Sequence, residues 1–214
     1  MFISLEFIFV INNLSSDKQR FIYNLFIMNH KIVIIAGPSG VGKATIETEL
    51  FKASDLKLCF SCSATTRLPR HGEVDGKQYY FLTEAEFDKK IANNEFLEWN
   101  AHFAHKYGTL NDEITRILAK GCIPFLEVDV EGAKRIIKKV QDKYNLITIF
   151  IMPPSIVELE RRIRNRNTEN EQELQSRLQR YHKEINDSKI FQHIIMNKNV
   201  QETVAQITRI IKEA

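Results

Sequence analysis

Residues 37 to 44 read Gly-Pro-Ser-Gly-Val-Gly-Lys-Ala, and they follow directly on the apolar run Ile32-Val33-Ile34-Ile35-Ala36. A buried strand that turns sharply into a helix brings several backbone N–H groups and the positive end of the helix dipole to one point, where anions bind. Gly37, Gly40 and Gly42 allow close backbone approach, and Lys43 is long enough to reach the β and γ phosphates of a nucleoside triphosphate. Pro38, Ser39 and Val41 complete the turn. The Ser or Thr that normally follows the lysine, and whose hydroxyl meets Mg²⁺, is Ala44 here, with Thr45 one place later.

A second cluster of anion-binding types lies in Ser63-Ala64-Thr65-Thr66-Arg67-Leu68-Pro69-Arg70. Guanidinium forks take phosphate oxygens two at a time, so Arg67 and Arg70, with Pro69 keeping the backbone extended, suit a second phosphate group. Glu127 and Asp129 alternate at the end of the apolar run Phe125-Leu126-Glu127-Val128-Asp129-Val130, which predicts carboxylates on one face at the ligand-facing end of a parallel strand. From Arg161 to Arg177 charge dominates, and Asn165, Asn167, Thr168 and Asn170 interrupt the helical pattern. That composition predicts a mobile flap between helices.

The elements that must hold these groups follow from periodicity. Apolar runs at 32–36, 122–130, 146–152 and 191–196 alternate with helical patterns, which predicts a parallel sheet covered by helices on both faces. Thr83-Glu84-Ala85-Glu86 and Ser155-Ile156-Val157-Glu158 have the form of capping boxes and predict helix starts. Val200, Val204, Ile207 and Ile211 predict the buried stripe of a terminal helix. The stretch from Ser63 to Thr109 is polar, aromatic and turn-rich, and reads as a small inserted lobe.

The 214 residues are 43% hydrophobic, enough for a substantial core, and 30 basic against 27 acidic side chains argue against a nucleic-acid coat. Three cysteines cannot close a disulfide framework or a four-cysteine zinc site, which favours a reducing, cytoplasmic setting. Cys59 and Cys62 have C-x-x-C spacing, but strand periodicity sends them to opposite faces, as two small buried residues. Residues 1 to 28 carry two apolar runs, each too short to span a bilayer, and lack the marks of a signal peptide. They read as an N-terminal extension, either without a role in the chemistry or as an anchor or targeting element.

The order G-P-S-G-x-G-K, then S-x-T-T-R-x-P-R-x-G-E-x-x-G-x-x-Y, then N-x-E-F-x-E-W around Glu98, then Y-G-T at Tyr107 to Thr109, resembles the guanylate kinases from about Lys31 onward. The resemblance implies a P-loop three-layer α/β fold over residues 29–214. Its core would cover 29–62, 110–160 and 178–214, with a mixed α+β GMP-binding lobe at 63–109 and a short lid at 161–177. It implies transfer of the γ-phosphoryl of ATP to GMP, and to dGMP, with Mg²⁺, in purine nucleotide metabolism, by a monomer or a homo-oligomer without nucleic-acid partner or stable membrane insertion.

By the same resemblance, Ser63, Arg67, Arg70, Tyr79 and Tyr107 hold the GMP phosphate, while Glu98 and Thr109 read the guanine edge. Glu127, where the family often has Asp, and Asp129 serve the guanine side or the water shell of Mg²⁺. Arg162, Arg166 and Arg177 gather with Lys43 and Arg67 around the transferred group, and Asn197 lies near the adenine. The family's G-R-G-T-E is Asn165-Arg166-Asn167-Thr168-Glu169 here. With Ala44 in the loop the resemblance implies no certain protein ligand for Mg²⁺, which would be held through water and the nucleotide phosphates, with Thr45 as the other candidate. Two other readings accompany this one: a kinase of another nucleoside monophosphate, and a non-catalytic guanylate-kinase-like domain that binds peptides. The latter kind degrades the phosphate loop, whereas Gly37, Gly42 and Lys43 are intact here.

Overall fold

The structure is a computed structural model that describes residues 30–53, 55–102, 104–164 and 171–214. The expected N-terminal extension and the Asn165–Asn170 stretch, Arg166 included, lie outside the described residues. Contacts group the chain into two compact units, one drawn chiefly from residues 58–125 and 135–146, the other from 33–57, 126–134 and 147–214.

The strands are β1 (Lys31–Ala36), β2 (Leu58–Phe60), β3 (Ser63–Thr65), β4 (Tyr79–Phe81), β5 (Phe96–His102), β6 (His105–Leu110), β7 (Ile123–Glu127), β8 (Asn145–Met152) and β9 (His193–Met196). Between them lie α1 (Lys43–Ala53), α2 (Glu84–Ala92), α3 (Asn111–Ala119), α4 (Val130–Val140), α5 (Ile156–Arg164), α6 (Glu171–Asp187) and, last, α7 (Val200–Glu213). Five strands make a parallel sheet in the order β2-β7-β1-β8-β9. In it Leu58 pairs with Ile123, and Ile149 to Met152 pair with His193 to Met196. Ile32 to Ala36 have no exposed surface, and Leu146 to Ile151 are buried, as expected of strands covered on both faces.

The other four strands form a mixed sheet in the order β4-β3-β6-β5. β3 runs parallel to β4 and antiparallel to β6, and β5 is the antiparallel edge. Its small core is Ala64, Phe87 and Phe96, with the two rings stacked at 4.3 Å. Thr83 opens α2 as a full capping box with Glu86, so Phe87 enters that core one turn into the helix. At α5 only half the expected box forms: the Glu158 N–H donates to the Ser155 hydroxyl, while the Glu158 carboxylate takes Arg161 and Arg162 instead. In α7 the stripe Val204, Ile207 and Ile211 is buried, as its spacing predicts.

Strand β7 ends at Glu127, so Asp129 is not a strand residue. Its carboxylate accepts from the Gly132 N–H at 2.6 Å, satisfying one of the otherwise unpaired donors at the start of α4. The three cysteines are free thiols. Cys62 is buried, and Cys59 sits beside Cys122 rather than Cys62; burial, and then the neighbouring Cys122 thiol, push Cys59 up to about 11.

Candidate functional site

The phosphate loop is built between β1 and α1. Gly37 has φ of 153°, and a Cβ there would overlap the backbone carbonyl of Ile151, so no larger residue fits without moving β8. Lys43 folds back over the loop, donating to the Gly37 carbonyl at 2.7 Å and the Pro38 carbonyl at 3.4 Å, and lies 3.6 Å from the Glu127 carboxylate. The ammonium is thus already drawn over the cradle in which a triphosphate would lie.

Three further expected residues converge on this loop. Arg177, from α6, donates to the Ser39 hydroxyl. Arg162 donates to the carbonyls of Val41 at 3.0 Å and Asn197 at 3.4 Å while pairing with Glu158 at 2.7 Å. Asn197 is buried, donates from Nδ2 to the Val41 carbonyl at 2.8 Å and accepts from Thr203. Its amide therefore braces the loop, a role that a place near the adenine does not by itself anticipate. Ala44 and Thr45 are exposed on the first turn of α1.

Two carboxylates that the motifs did not single out face Lys43. Glu47, one helical turn beyond it, has a buried Oε1 without a hydrogen-bond partner. Burial first, and then the charge of Glu127, push its carboxyl up to about 7 against the opposing pull of Lys43. Glu184 on α6 is raised by burial and faces Lys43, Arg180 and Asp129. Helical spacing places Glu47 one turn from Lys43, but nothing in composition says that Glu127 and Glu184 arrive beside it.

The second cluster forms on the mixed sheet. Register sets Ser63 opposite Tyr79 and Thr65 opposite Tyr107, and the two tyrosine rings meet edge-on at 6.1 Å. The Arg67 guanidinium lies 5.4 Å from the centre of the Tyr79 ring and 5.7 Å from that of Phe81, and it faces Tyr107. Both arms of its fork are taken by Glu73, each at 2.9 Å, and Glu73 also accepts the Arg70 backbone N–H at 2.7 Å. Arg67, and then that N–H, hold the Glu73 carboxyl below its usual range. A carboxylate here fills the bidentate position that two phosphate oxygens match equally well. The Arg70 side chain is exposed beside it.

On the neighbouring strands Glu98 and Thr109 are paired in register, 9% and 1% exposed, and the Thr109 hydroxyl donates to Glu98 Oε1 at 3.1 Å. Gly108 makes this possible, because a Cβ there would press to 2.8 Å on the Glu98 carbonyl and on Phe96 and Trp99. On α3, Glu113 is a buried carboxylate the sequence reading missed. It accepts from Arg116 twice at 2.7 Å, from Tyr80 at 2.9 Å and from the Cys62 N–H at 3.0 Å. Burial pushes this carboxyl up, but those four donors outweigh it and the net direction is down.

Among the described residues no group of three or more His, Cys, Asp and Glu is placed to hold a metal, and no helix is long and apolar enough to cross a membrane. The family model for guanylate kinase matches residues 29–214. A guanylate kinase of Mycoplasmopsis pulmonis is 46% identical over 187 residues, covering 86% of this chain and 95% of its own. One from Mycoplasmopsis synoviae is 44% identical over 191 residues, covering 86% and 96%. Among solved structures, the crystal structure of guanylate kinase from Anaplasma phagocytophilum superposes with a TM-score of 0.67 at 29% identity, over 87% of this chain and 86% of that one.

Proposed function

Since the chain belongs to the guanylate kinase family and its reaction is transfer of the γ-phosphoryl of ATP to GMP, we propose that two separate cradles divide the work. The loop from Gly37 to Thr45 holds the ATP phosphates, with Lys43 following the charge onto the leaving ADP. Arg162, Arg177 and the expected lid residue Arg166 add positive charge around the transferred group, and Asn197 keeps the loop in shape. Ser63, Arg67, Arg70, Tyr79 and Tyr107 hold the GMP phosphate, which displaces Glu73 from the Arg67 fork. Glu98 and Thr109 read the base. The observation that carries this assignment is the buried Glu98–Thr109 pair: a carboxylate accepts from the N1–H and 2-amino edge of guanine, and adenine offers no such donors, leaving it unpaired.

No covalent nucleophile is required, because the attacking GMP phosphate oxygen is already anionic. Catalysis is positioning and electrostatics. Residue 44 has no hydroxyl, but Glu127 beside Lys43 and the unpartnered Oε1 of Glu47 are donors of the kind that fit an ion retaining much of its water. Mg²⁺ bound with ATP supplies neutralisation of charge on the β and γ oxygens. Asp129, with its carboxylate at the start of α4, serves that water shell or the guanine side. The lobe at 63–109 and the lid at 161–177 are the parts that carry acceptor and closure. Free thiols and a balanced charge support a cytoplasmic place in purine nucleotide metabolism.

The test is Lys43→Met. Turnover should fall by about a hundredfold to a thousandfold, the scale for loss of one preorganised charge donor, with folding by circular dichroism and GMP affinity by calorimetry retained. Parent-like turnover in that variant would remove Lys43 from the mechanism.

A further inference from the structure

Glu98 lies on β5, the edge strand of its sheet, immediately after a break in register between Phe96 and Glu98. A strand irregularity at an edge is where a one-residue slip is easiest, and such a slip would turn Glu98 to the opposite face. Two cations of α4 bracket that point. Lys139 donates to the Phe96 carbonyl at 2.5 Å, and Arg135 Nη2 stands 3.6 Å from Glu98 Oε2. The spacing matches: four residues along a helix advance about 6 Å, and two along a strand about 6.6 Å. Arg135, Lys138 and Lys139 line a groove of about 430 Å³ with Leu97, Glu98 and Trp99, so the Arg135 contact is made at an open face, with its side chain 41% exposed.

We propose that Arg135 is a specificity-determining positioning residue: with Thr109 on Oε1 and Arg135 on Oε2, it fixes the plane in which Glu98 meets guanine. A carboxylate has about four acceptor positions, enough for these two partners and a two-donor base edge together. Arg135 acts through Glu98, not on the reacting phosphates. The inference rests on Glu98 reading the base, and the experiment keeps the two apart.

Steady-state kinetics with GMP, IMP (which keeps N1–H but lacks the 2-amino group) and AMP would compare the parent with Arg135→Ala, Arg135→Lys, Glu98→Gln and Arg135→Ala combined with Glu98→Gln. For Arg135→Ala the KM for GMP should rise about twofold to fivefold, the scale of a half-exposed ion pair, with kcat within about twofold and the preference for GMP over IMP reduced by a similar factor. Arg135→Lys should restore part of it, and the double variant should lose no more than Glu98→Gln alone. If Glu98→Gln lowers the preference and Arg135→Ala does not, the Arg135 inference fails by itself. If Glu98→Gln leaves the preference unchanged, the base-reading role fails and takes this inference with it. A fall in kcat equal for Ala and Lys at 135, without a change in preference, would mark a purely structural role and overturn the inference.

Discussion

The environment of Glu47 conflicts with its chemistry: it is a carboxylate with a buried, unpartnered oxygen next to a second carboxylate. Its folded pKa of about 7 stands above the ordinary 4.5, so the native state binds the extra proton. The stability this contributes is complete below pH 4.5 and is lost as the pH rises through 7. Glu47→Gln, which cannot ionise, should therefore match the parent near pH 4 and exceed it at pH 8 by about 1–2 kcal/mol, with partial exposure allowed for. Urea unfolding at both pH values checks this, and parallel profiles for the two proteins would refute it. At this scale the reading of the sequence is uneven for a physical reason. Lys43, Arg67 and Glu98 are legible because neighbouring letters fix their settings. Glu47, Glu73, Glu113 and Arg135 matter through partners whose approach is set by folding: Glu113 gathers Cys62, Tyr80 and Arg116, and Arg135 reaches Glu98 from 37 residues away.

Among the elements, α2 is the clearest case of local sequence deciding structure. Thr83 and Glu86 close the box, and Phe87 then stacks on Phe96 at 4.3 Å beneath β3, the strand that carries Ser63. Thr83→Ala should lower stability by about 1 kcal/mol and Phe87→Ala by about 3–4 kcal/mol. Thermal unfolding would separate the two, and a Phe87→Ala loss no larger than that of Thr83→Ala would show that the lobe does not depend on this core. Apolar runs located the strands β1, β7, β8 and β9 but placed their ends loosely. The run at 122–130 passes through the end of β7 into α4, because Asp129 satisfies helix donors in preference to continuing the strand. The short strands β3 and β4, three residues each, have no periodicity long enough to read; only their register reveals that Ser63 and Tyr79 are neighbours.

For the whole molecule, the proposed reading gives one nucleotide to the loop of the parallel sheet and the other to the arginine–carboxylate cluster of the mixed sheet. Motif order made this legible: no single signature distinguishes an acceptor, but the loop, the Arg67 segment, Glu98 and Thr109 together do. The central claim is that the acceptor is GMP, chosen by the buried Glu98–Thr109 pair. The direct measurement is ADP release from ATP and Mg²⁺ by the parent protein, offering GMP, dGMP, AMP and UMP separately. Turnover should occur with GMP and dGMP, with kcat/KM for GMP exceeding that for AMP by about 10⁴, the scale set by unpaired buried polar groups. Folded protein that turns over AMP as well as GMP, or gives no turnover with GMP, would contradict it.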